Sequence, residues 1–400
     1  MKMWRLIMLI STMVMFCVSL LTGCGSDSNK GGSKAGTVNI GVLTGLTGKA
    51  ADWGKKQKIV LEMAEKEINA SGGINGSPVK FIIHDTGGDN QQAVILTRKL
   101  ATDEKVTAIL GPYTSGECET AFPQANQLKI PMISASSNKP GIASANRPWT
   151  FRNTMTDDKM TAAAMPVFIK NYNVKRVALV VDAKDSMSKN FGTKIAPKVL
   201  HDLGVTIINE DKPVTFNTGD TDYTAQVTNL KQMKPDAIIL GGLYNEIASL
   251  SNEMKRQGVA IPAFGNVGMY SDGLIAQAGK DVEGWVAQSN YWPENPEPKV
   301  QEFIKKFKEA AKTSGAGDIA PDAWTAQMYD TANITVDILR KNGVKADTPV
   351  DKVRETIRMG WSELKNYKGV IGNISIDEHG EGTLEVYPLV VRNGKWVLLK

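Results

Sequence analysis

The chain has 400 residues, of which 42% are hydrophobic and 22% charged, with a net charge of +5. This composition is typical of a globular protein, and a prior of about 150 residues per domain predicts two domains. The body has no block of like charges, which argues against nucleic-acid binding. Cys118 is the only cysteine after residue 24, which excludes an intramolecular disulfide or a cysteine metal cluster in the body.

The N-terminal residues indicate export. Lys2 and Arg5 precede an apolar stretch over residues 6–21, and small residues follow. This pattern predicts a secretory signal peptide over residues 1–23, the alternative being a membrane-spanning anchor, which normally needs about 20 apolar residues. The ending Leu-Thr-Gly-Cys resembles a bacterial lipobox, which implies that Cys24 is acylated. We therefore predict a protein that is lipid-anchored to the cell membrane and faces the periplasm or the cell exterior.

A polar tether and then a regular alternation of elements follow. Residues 24–36 are nearly devoid of apolar side chains and predict a flexible tether. Short β-rich runs are predicted at residues 37–45, 79–86, 106–112, 130–136, 175–183, 204–210 and 236–242. Helical patterns lie between them; in the first, Ile59, Val60, Met63, Ala64 and Ile68 share one face. The alternation predicts an α/β fold of two doubly wound lobes with parallel sheets.

The loops at the carboxyl ends of the predicted strands are the candidate site. In open parallel sheets, ligands bind beyond these ends, where helix N-termini present free N–H groups. The candidate loops are residues 43–54, 85–90, 111–118, 134–138, 182–190, 241–246 and 265–270.

Several segments resemble a known family along residues 37–400. They include IGVLTGLTGKAADWG, EINASGGINGSPV, ILGPYTSG, IPMISASSNKP, TFRNTMTDDKM and GWVAQSNYW, in that order. These segments resemble the extracellular leucine/isoleucine/valine-binding family of ABC transporter receptors. The resemblance implies a periplasmic-binding-protein type I fold, in which two lobes joined by three hinge crossovers close on a small ligand. It assigns residues 37–157 plus 288–341 to lobe 1, and 158–287 plus 342–400 to lobe 2.

The resemblance also implies where the carboxylate of a ligand binds. It places this group at Ser115 and the neighbouring backbone, with help from residues 136–138. The predicted ligand-binding residues in these two loops are Tyr113, Thr114, Ser115, Ser136, Ser137 and Asn138. A Ser-Gly turn at a helix N-terminus is itself a favourable anion site. The alternative is that Ser115 only caps the following helix, and the two roles are compatible.

The remaining predicted site residues concern the ammonium group and the side-chain pocket. Asp157 matches a carboxylate of the family next to the cleft, although it could instead be a helix N-cap. Two positions depart from the family: Val267 replaces an acidic residue, and Ser186 or Met187 replaces an aromatic one. Trp53 is a predicted wall of the pocket, and Tyr244 is predicted to provide either a hydroxyl or an aromatic wall. The alternative for each is ordinary packing.

These departures leave the ligand class open. A branched-chain or other hydrophobic amino acid comes first, and a non-amino organic or aromatic acid is the alternative. The predicted role is the substrate-binding component of an ABC importer, with a permease and an ATPase as partners. A ligand-sensing receptor component is a further alternative. We expect a monomer without nucleic-acid partners, cofactors or metal.

An enzyme is disfavoured. Residues 45–50 read GLTGKA and depart twice from a phosphate-binding loop. A serine or cysteine nucleophile would need His84, His201 or His379 as its base, and of these only His84 lies at the end of a strand near the cleft.

Overall fold

Two sheets organise the part of the chain that the computed structural model describes, residues 36–400. The predicted signal peptide, the predicted acylation site Cys24 and nearly all of the predicted tether lie outside the described residues. The strands are β1 (Val38–Thr44), β2 (Val79–Asp85), β3 (Ile109–Leu110), β4 (Met132–Ser134), β5 (Thr150–Arg152), β6 (Arg176–Asp182), β7 (Thr206–Ile207), β8 (Val214–Phe216), β9 (Ala237–Gly241), β10 (Ala263–Gly265), β11 (Val286–Ser289), β12 (Tyr367–Gly369), β13 (Gly372–Ile376), β14 (Gly382–Thr383), β15 (Tyr387–Arg392) and β16 (Lys395–Leu398).

The α-helices lie between these strands and cover the sheets. They are α1 (Ala51–Ala70), α2 (Asn90–Arg98), α3 (Ser115–Leu128), α4 (Asp157–Tyr172), α5 (Ser186–Asn190), α6 (Ala196–Asp202), α7 (Thr224–Met233), α8 (Tyr244–Arg256), α9 (Asp272–Ala278), α10 (Pro298–Thr313), α11 (Ala323–Lys341) and α12 (Val350–Ser362). The five residues predicted to share a face of α1 are all buried. Gly72 and Gly73, just beyond that helix, have the positive φ angles that end a helix readily.

The first sheet is parallel throughout, in the order β2-β1-β3-β4-β5. In its longest pairing, Val38 lies opposite Val79 and Thr44 opposite Asp85. The strand β1 is buried along nearly its whole length because helices cover both faces of the sheet.

The second sheet has the order β16-β15-β11-β10-β9-β6-β7, and β8 also pairs with β6. Its strands from β6 to β11 are parallel, whereas β15 is antiparallel to both β11 and β16. The predicted α/β class with parallel sheets is therefore confirmed, with an antiparallel hairpin at one edge.

The chain crosses between the two sheets three times within the described residues: after β5, after β11 and before β15. After the second crossover, α10 and α11 pack beside the first sheet. There, Lys306 Nζ of α10 lies 3.1 Å from Glu67 Oε1 of α1. The ends of β5 and β11 thus form neighbouring connections beneath the cleft.

The segment from α12 to β14 contacts elements of the first sheet. Arg354 of α12 donates from Nε to the Val106 carbonyl at 3.0 Å and from Nη2 to the Ala101 carbonyl at 2.8 Å. The Arg152 amide, at the end of β5, donates to the Gly380 carbonyl at 2.9 Å. The sequence-based division places residues 342–400 in lobe 2. We propose instead that the boundary lies after Thr383, because only β15 and β16 join the second sheet.

Candidate functional site

A small cavity lies where the carboxyl ends of strands from both sheets face each other. Its volume is about 30 Å³, which is room for about one water molecule. The first lobe contributes Ala50, Trp53, Tyr113, Thr114, Ser115, Ser136 and Trp324, and the second contributes Asp185, Met187, Leu243 and Gly268. The structure thus brings together five predicted site residues: Trp53, Tyr113, Thr114, Ser115 and Ser136.

Aromatic rings from both lobes pack against one another beside the cavity. Trp53 stacks on Tyr113 with ring centroids 5.8 Å apart, and Tyr244 of the second lobe meets Trp53 edge-on at 4.8 Å. Trp324 contacts Tyr113 edge-on from the first turn of α11. Because these rings touch, the cleft is nearly closed, and a ligand of amino-acid size requires the rings to separate.

Ser115 lines the cavity at the start of α3, and its hydroxyl contacts residues 137 and 139. The N-cap of α3 is Thr114, whose side chain accepts from the Glu117 amide in a capping box, so Ser115 is not the cap. The Ser115 hydroxyl accepts from the Lys139 amide at 3.3 Å and lies 3.0 Å from Ser137 Oγ. A hydroxyl can accept two hydrogen bonds and donate one. If Ser137 also donates to it, the Ser115 proton remains available for a carboxylate.

The loop from 136 to 138 is directed mainly inward. The backbone amides of Ser136 and Ser137 donate to Ser134 Oγ at 3.4 and 3.1 Å. The Asn138 side chain donates to Thr154 Oγ1 at 2.7 Å, beneath the cleft. In this conformation the predicted backbone donors of residues 136 and 137 are therefore occupied by Ser134. Of the three residues, Ser136 lines the cavity, whereas Ser137 and Asn138 do not.

Asp157 lies at the hinge rather than along the cavity. It begins α4, immediately after the first crossover, with Thr156 in the cap position. Its Oδ1 accepts from Gln288 Nε2 at 2.9 Å, at the end of β11, which links the first two crossovers. The side chain is fully buried, and burial raises the pKa of Asp157 to about 7. Asp157 therefore does not line the cavity, where its predicted contact with a ligand ammonium group would have to form.

Ser186 connects the two lobes at the edge of the cavity. Its hydroxyl donates to Glu119 Oε2 of α3 at 2.6 Å and accepts from Lys139 Nζ at 2.9 Å. Lys139 and Glu119 also form an ion pair. The residue predicted to touch the ligand is therefore part of a polar contact that holds the lobes together.

Val267 and Tyr244 are not among the residues that line the cavity. Val267 is fully buried in a short 3-10 turn, and its neighbour Gly268 lines the cavity instead. Tyr244 reaches the site indirectly, by packing its ring against Trp53.

Five cavity residues escaped the sequence-based prediction as ligand contacts: Ala50, Asp185, Leu243, Gly268 and Trp324. The first four lie within the candidate loops, so the strand-end rule marked their segments without singling them out. Trp324 lies on α11, which follows another helix and no strand. The rule that ligands bind beyond strand ends therefore could not identify it.

Cys118 and the histidines considered for catalysis lie apart from the cavity. Cys118 is fully buried, and burial raises the pKa of its thiol to about 12, which keeps it neutral. His84 pairs with Glu104 at 2.9 Å and His201 with Glu210 at 2.8 Å. Among the described residues, no histidine lines the cavity.

A wider depression of about 680 Å³ lies at the opposite end of the second sheet. Pro262 and Trp285, which precede β10 and β11, are among its lining residues. Since ligands of such sheets bind at the carboxyl ends of strands, we take the small inter-lobe cavity as the candidate site.

Ser186→Ala is expected to speed ligand release about fivefold. The variant removes a partly exposed hydrogen-bonded contact between the lobes, which is worth on the order of 1 kcal/mol. Stopped-flow dissociation of a bound ligand measures the change, and Thr193→Ala, whose hydroxyl donates to the Lys189 carbonyl four residues earlier, is the control. Equal release rates in the parent and Ser186→Ala would contradict a role for this contact in closure.

Two lobes that meet over an enclosed cavity define a solute-binding protein of the clamshell class. The sequence profile of the periplasmic binding protein family matches residues 37–395. The chain belongs to this family. Within residues 36–400, no helix has both the length and the apolar character required to cross a membrane.

Relatives and solved structures agree with this assignment. A Leu/Ile/Val-binding protein homolog from Brucella abortus is 26% identical over 357 residues, covering 89% of this chain and 91% of the relative. A leucine binding protein from Thermotoga maritima is 27% identical, with a TM-score of 0.78 and coverage of 90% and 97%. A solute binding protein of an ABC transporter from Rhodopseudomonas palustris, in complex with 3,4-dihydroxybenzoic acid, has a TM-score of 0.77 at 20% identity and coverage of 90% and 95%. At that identity the last comparison shows the fold alone.

Proposed function

We propose that the protein is the substrate-binding component of an ABC importer and captures a small amino acid with an apolar side chain. The observation that carries this proposal is the cavity itself, which joins the Ser115 hydroxyl to walls formed by Trp53, Met187 and Leu243. A polar end and an apolar wall suit a ligand with a carboxylate and a hydrocarbon side chain. Branched-chain amino acids are our first choice, in agreement with the names of the Brucella and Thermotoga relatives.

Binding proceeds in this proposal by closure of the lobes. In an open cleft, the ligand carboxylate meets Ser115 at the N-terminus of α3, where free backbone N–H groups favour an anion. Rotation about the crossovers then brings Met187 and Leu243 over the side chain, and the Ser186 contact completes the closed form. The protein catalyses no reaction in this account.

Delivery requires further components, which we also propose. Acylation at Cys24 anchors the monomeric protein to the membrane, and the closed form docks on a permease driven by an ATPase. The tether lets the body approach the permease without leaving the membrane surface.

An aromatic carboxylic acid is the second candidate ligand. The rings of Trp53, Tyr113 and Trp324 would stack on a benzoate-like group. A solute binding protein of the same fold from Rhodopseudomonas palustris is in complex with 3,4-dihydroxybenzoic acid, which supports this second candidate.

A thermal-shift panel tests the proposed function and ranks the two ligand classes. It compares the twenty common L-amino acids with benzoate and 3,4-dihydroxybenzoate, because a ligand that binds only the folded state raises the melting temperature by mass action. We expect leucine, isoleucine and valine to give the largest increases. An increase confined to the benzoates would support the second candidate, and no increase from any compound would contradict the proposal.

Ser115→Ala is expected to weaken L-leucine binding about ten- to a hundredfold. The variant removes a hydrogen bond to a charged carboxylate, worth about 1.5 to 3 kcal/mol, while Thr114 still caps the helix. Titration calorimetry measures the affinity. Thr120→Ala is the matched control, because Thr120 Oγ1 lies farther along the same helix and bonds only to backbone carbonyls. Parent-like affinity in a folded Ser115→Ala protein would remove Ser115 from the site.

A further inference from the structure

We propose that Asp185 is the counter-ion for a positively charged group of the ligand, so that the site selects zwitterionic amino acids over carboxylic acids without an amine. This inference rests on the proposed function, namely that the cleft binds a small molecule through its carboxylate. It adds the residue of the second lobe that distinguishes the two ligand classes.

The position of Asp185 is the first observation. It lies in the loop between β6 and α5 and lines the same small cavity as Ser115 and Ser136. Its side chain is buried, with the residue only 5% exposed. Ser115 belongs to the first lobe and Asp185 to the second, so a ligand held by both residues also holds the lobes closed.

The hydrogen bonds of Asp185 leave one carboxylate oxygen available. Its Oδ2 accepts from the Ser188 amide at 2.9 Å and from Ser188 Oγ at 2.8 Å. In the described part of the chain, Oδ1 has no hydrogen-bond partner and no basic nitrogen lies within ion-pair distance of the carboxylate. The helix cap therefore orients the side chain without neutralising its charge.

The cations near the cavity already have partners. Lys139 pairs with Glu119, and Arg152 pairs with Glu381. Lys56, one turn from Trp53 on α1, lies 3.2 Å from Asp322. None of these three is left to balance Asp185, so the cation has to come with the ligand.

Two further acids, Asp182 and Glu246, lie near Asp185 on this side of the cavity. Burial raises the pKa of Glu246, and the carboxylates of Asp182 and Asp185 raise it further. The Asp182 carboxylate is itself occupied by the backbone amides of Lys184, Asp185 and Thr218 and by the Thr218 hydroxyl. Asp185 is therefore the acid of this group that lines the cavity.

The chemistry of an α-amino acid matches this pair of groups. Its carboxylate and ammonium group share one carbon, so both can reach opposite sides of a very small cavity. A carboxylic acid without an amine would instead place an anion beside the buried Asp185 carboxylate with no compensating cation, and like charges at close range are unfavourable.

The test compares ligands that differ only in the amine. The pairs are L-leucine with 4-methylpentanoate, and L-phenylalanine with 3-phenylpropanoate, titrated by calorimetry into the parent and Asp185→Asn. Asn is a good N-cap and preserves the bond to the Ser188 amide, so the loop should keep its shape. Asp211→Asn, at an exposed acid in the same lobe, is the control.

We expect the parent to bind at least one amino acid about a hundredfold more tightly than its deaminated partner. Asp185→Asn should weaken binding of that amino acid about ten- to a hundredfold and leave the deaminated acid equal or tighter. Parent-like amino-acid affinity in a folded Asp185→Asn protein would overturn the inference alone, as would equal binding of both members of a pair by the parent. If the parent bound none of the four compounds, both the inference and the proposed function would fail.

Discussion

Arg152→Met is expected to lower the free energy of unfolding by about 3 to 5 kcal/mol. Arg152 is completely buried at the end of β5, where Nε and Nη2 face Glu381 Oε2. Nη1 donates to the Ser137 carbonyl at 3.1 Å, directly behind Ser115. Removal of the guanidinium leaves the buried Glu381 carboxylate without its cation and also releases the loop that positions the anion site.

Chemical denaturation of the parent, Arg152→Met and the double variant Arg152→Met/Glu381→Leu measures this effect. The double variant is the control, because replacing both members of a buried pair by apolar residues is often close to neutral. It should recover most of the lost stability. A loss of less than about 1 kcal/mol in the single variant would contradict the assigned role of the pair.

Between about pH 4 and pH 7, the free energy of unfolding of the parent is expected to fall by roughly 4 kcal/mol relative to that of Asp157→Asn, because Asp157 titrates in this range. Burial raises the pKa of Asp157 from 3.8 to about 7 in the folded state. Between these two values the folded state binds more protons than the unfolded state, so stability is greatest at the acidic end and declines as pH rises. An amide at this position still accepts from Gln288 and does not titrate.

Unfolding curves at pH 4, 5, 6, 7 and 8 for the parent and Asp157→Asn measure this difference. The control is Asp211→Asn, at an exposed acid far along the chain from Asp157. Because other groups titrate in the same range, the informative quantity is the difference between the two proteins at each pH. A constant difference from pH 4 to pH 8 would show that Asp157 is not buried as the structure places it.

The sheets could be predicted from the sequence because their signal is local. The first predicted run, residues 37–45, corresponds to β1 at Val38–Thr44, and the restart at 175 corresponds to β6 at Arg176–Asp182. Apolar runs between helical patterns are sufficient to fix such strands. The C-terminal hairpin of β15 and β16 is not among the predicted strands, since its pairing with β11 joins distant parts of the chain.

The site could be predicted only to the level of loops. Sequence patterns marked the loop containing Ser115, and the capping box then decided whether Ser115 or Thr114 caps the helix. They could not separate Asp157 from Asp185, because both are acids at helix starts and only the packed fold determines which side chain lines the cavity. Trp324 lies at the start of α11, which no strand directly precedes, so the strand-end rule could not identify it.

The central claim is that the inter-lobe cavity binds an amino acid, and calorimetric titration of the purified protein with L-leucine, L-isoleucine and L-valine tests it most directly. Our account predicts saturable binding of at least one of the three at one site per chain, weakened by Ser115→Ala and unchanged by Thr120→Ala. No binding of these amino acids, together with saturable binding of benzoate or 3,4-dihydroxybenzoate, would contradict it.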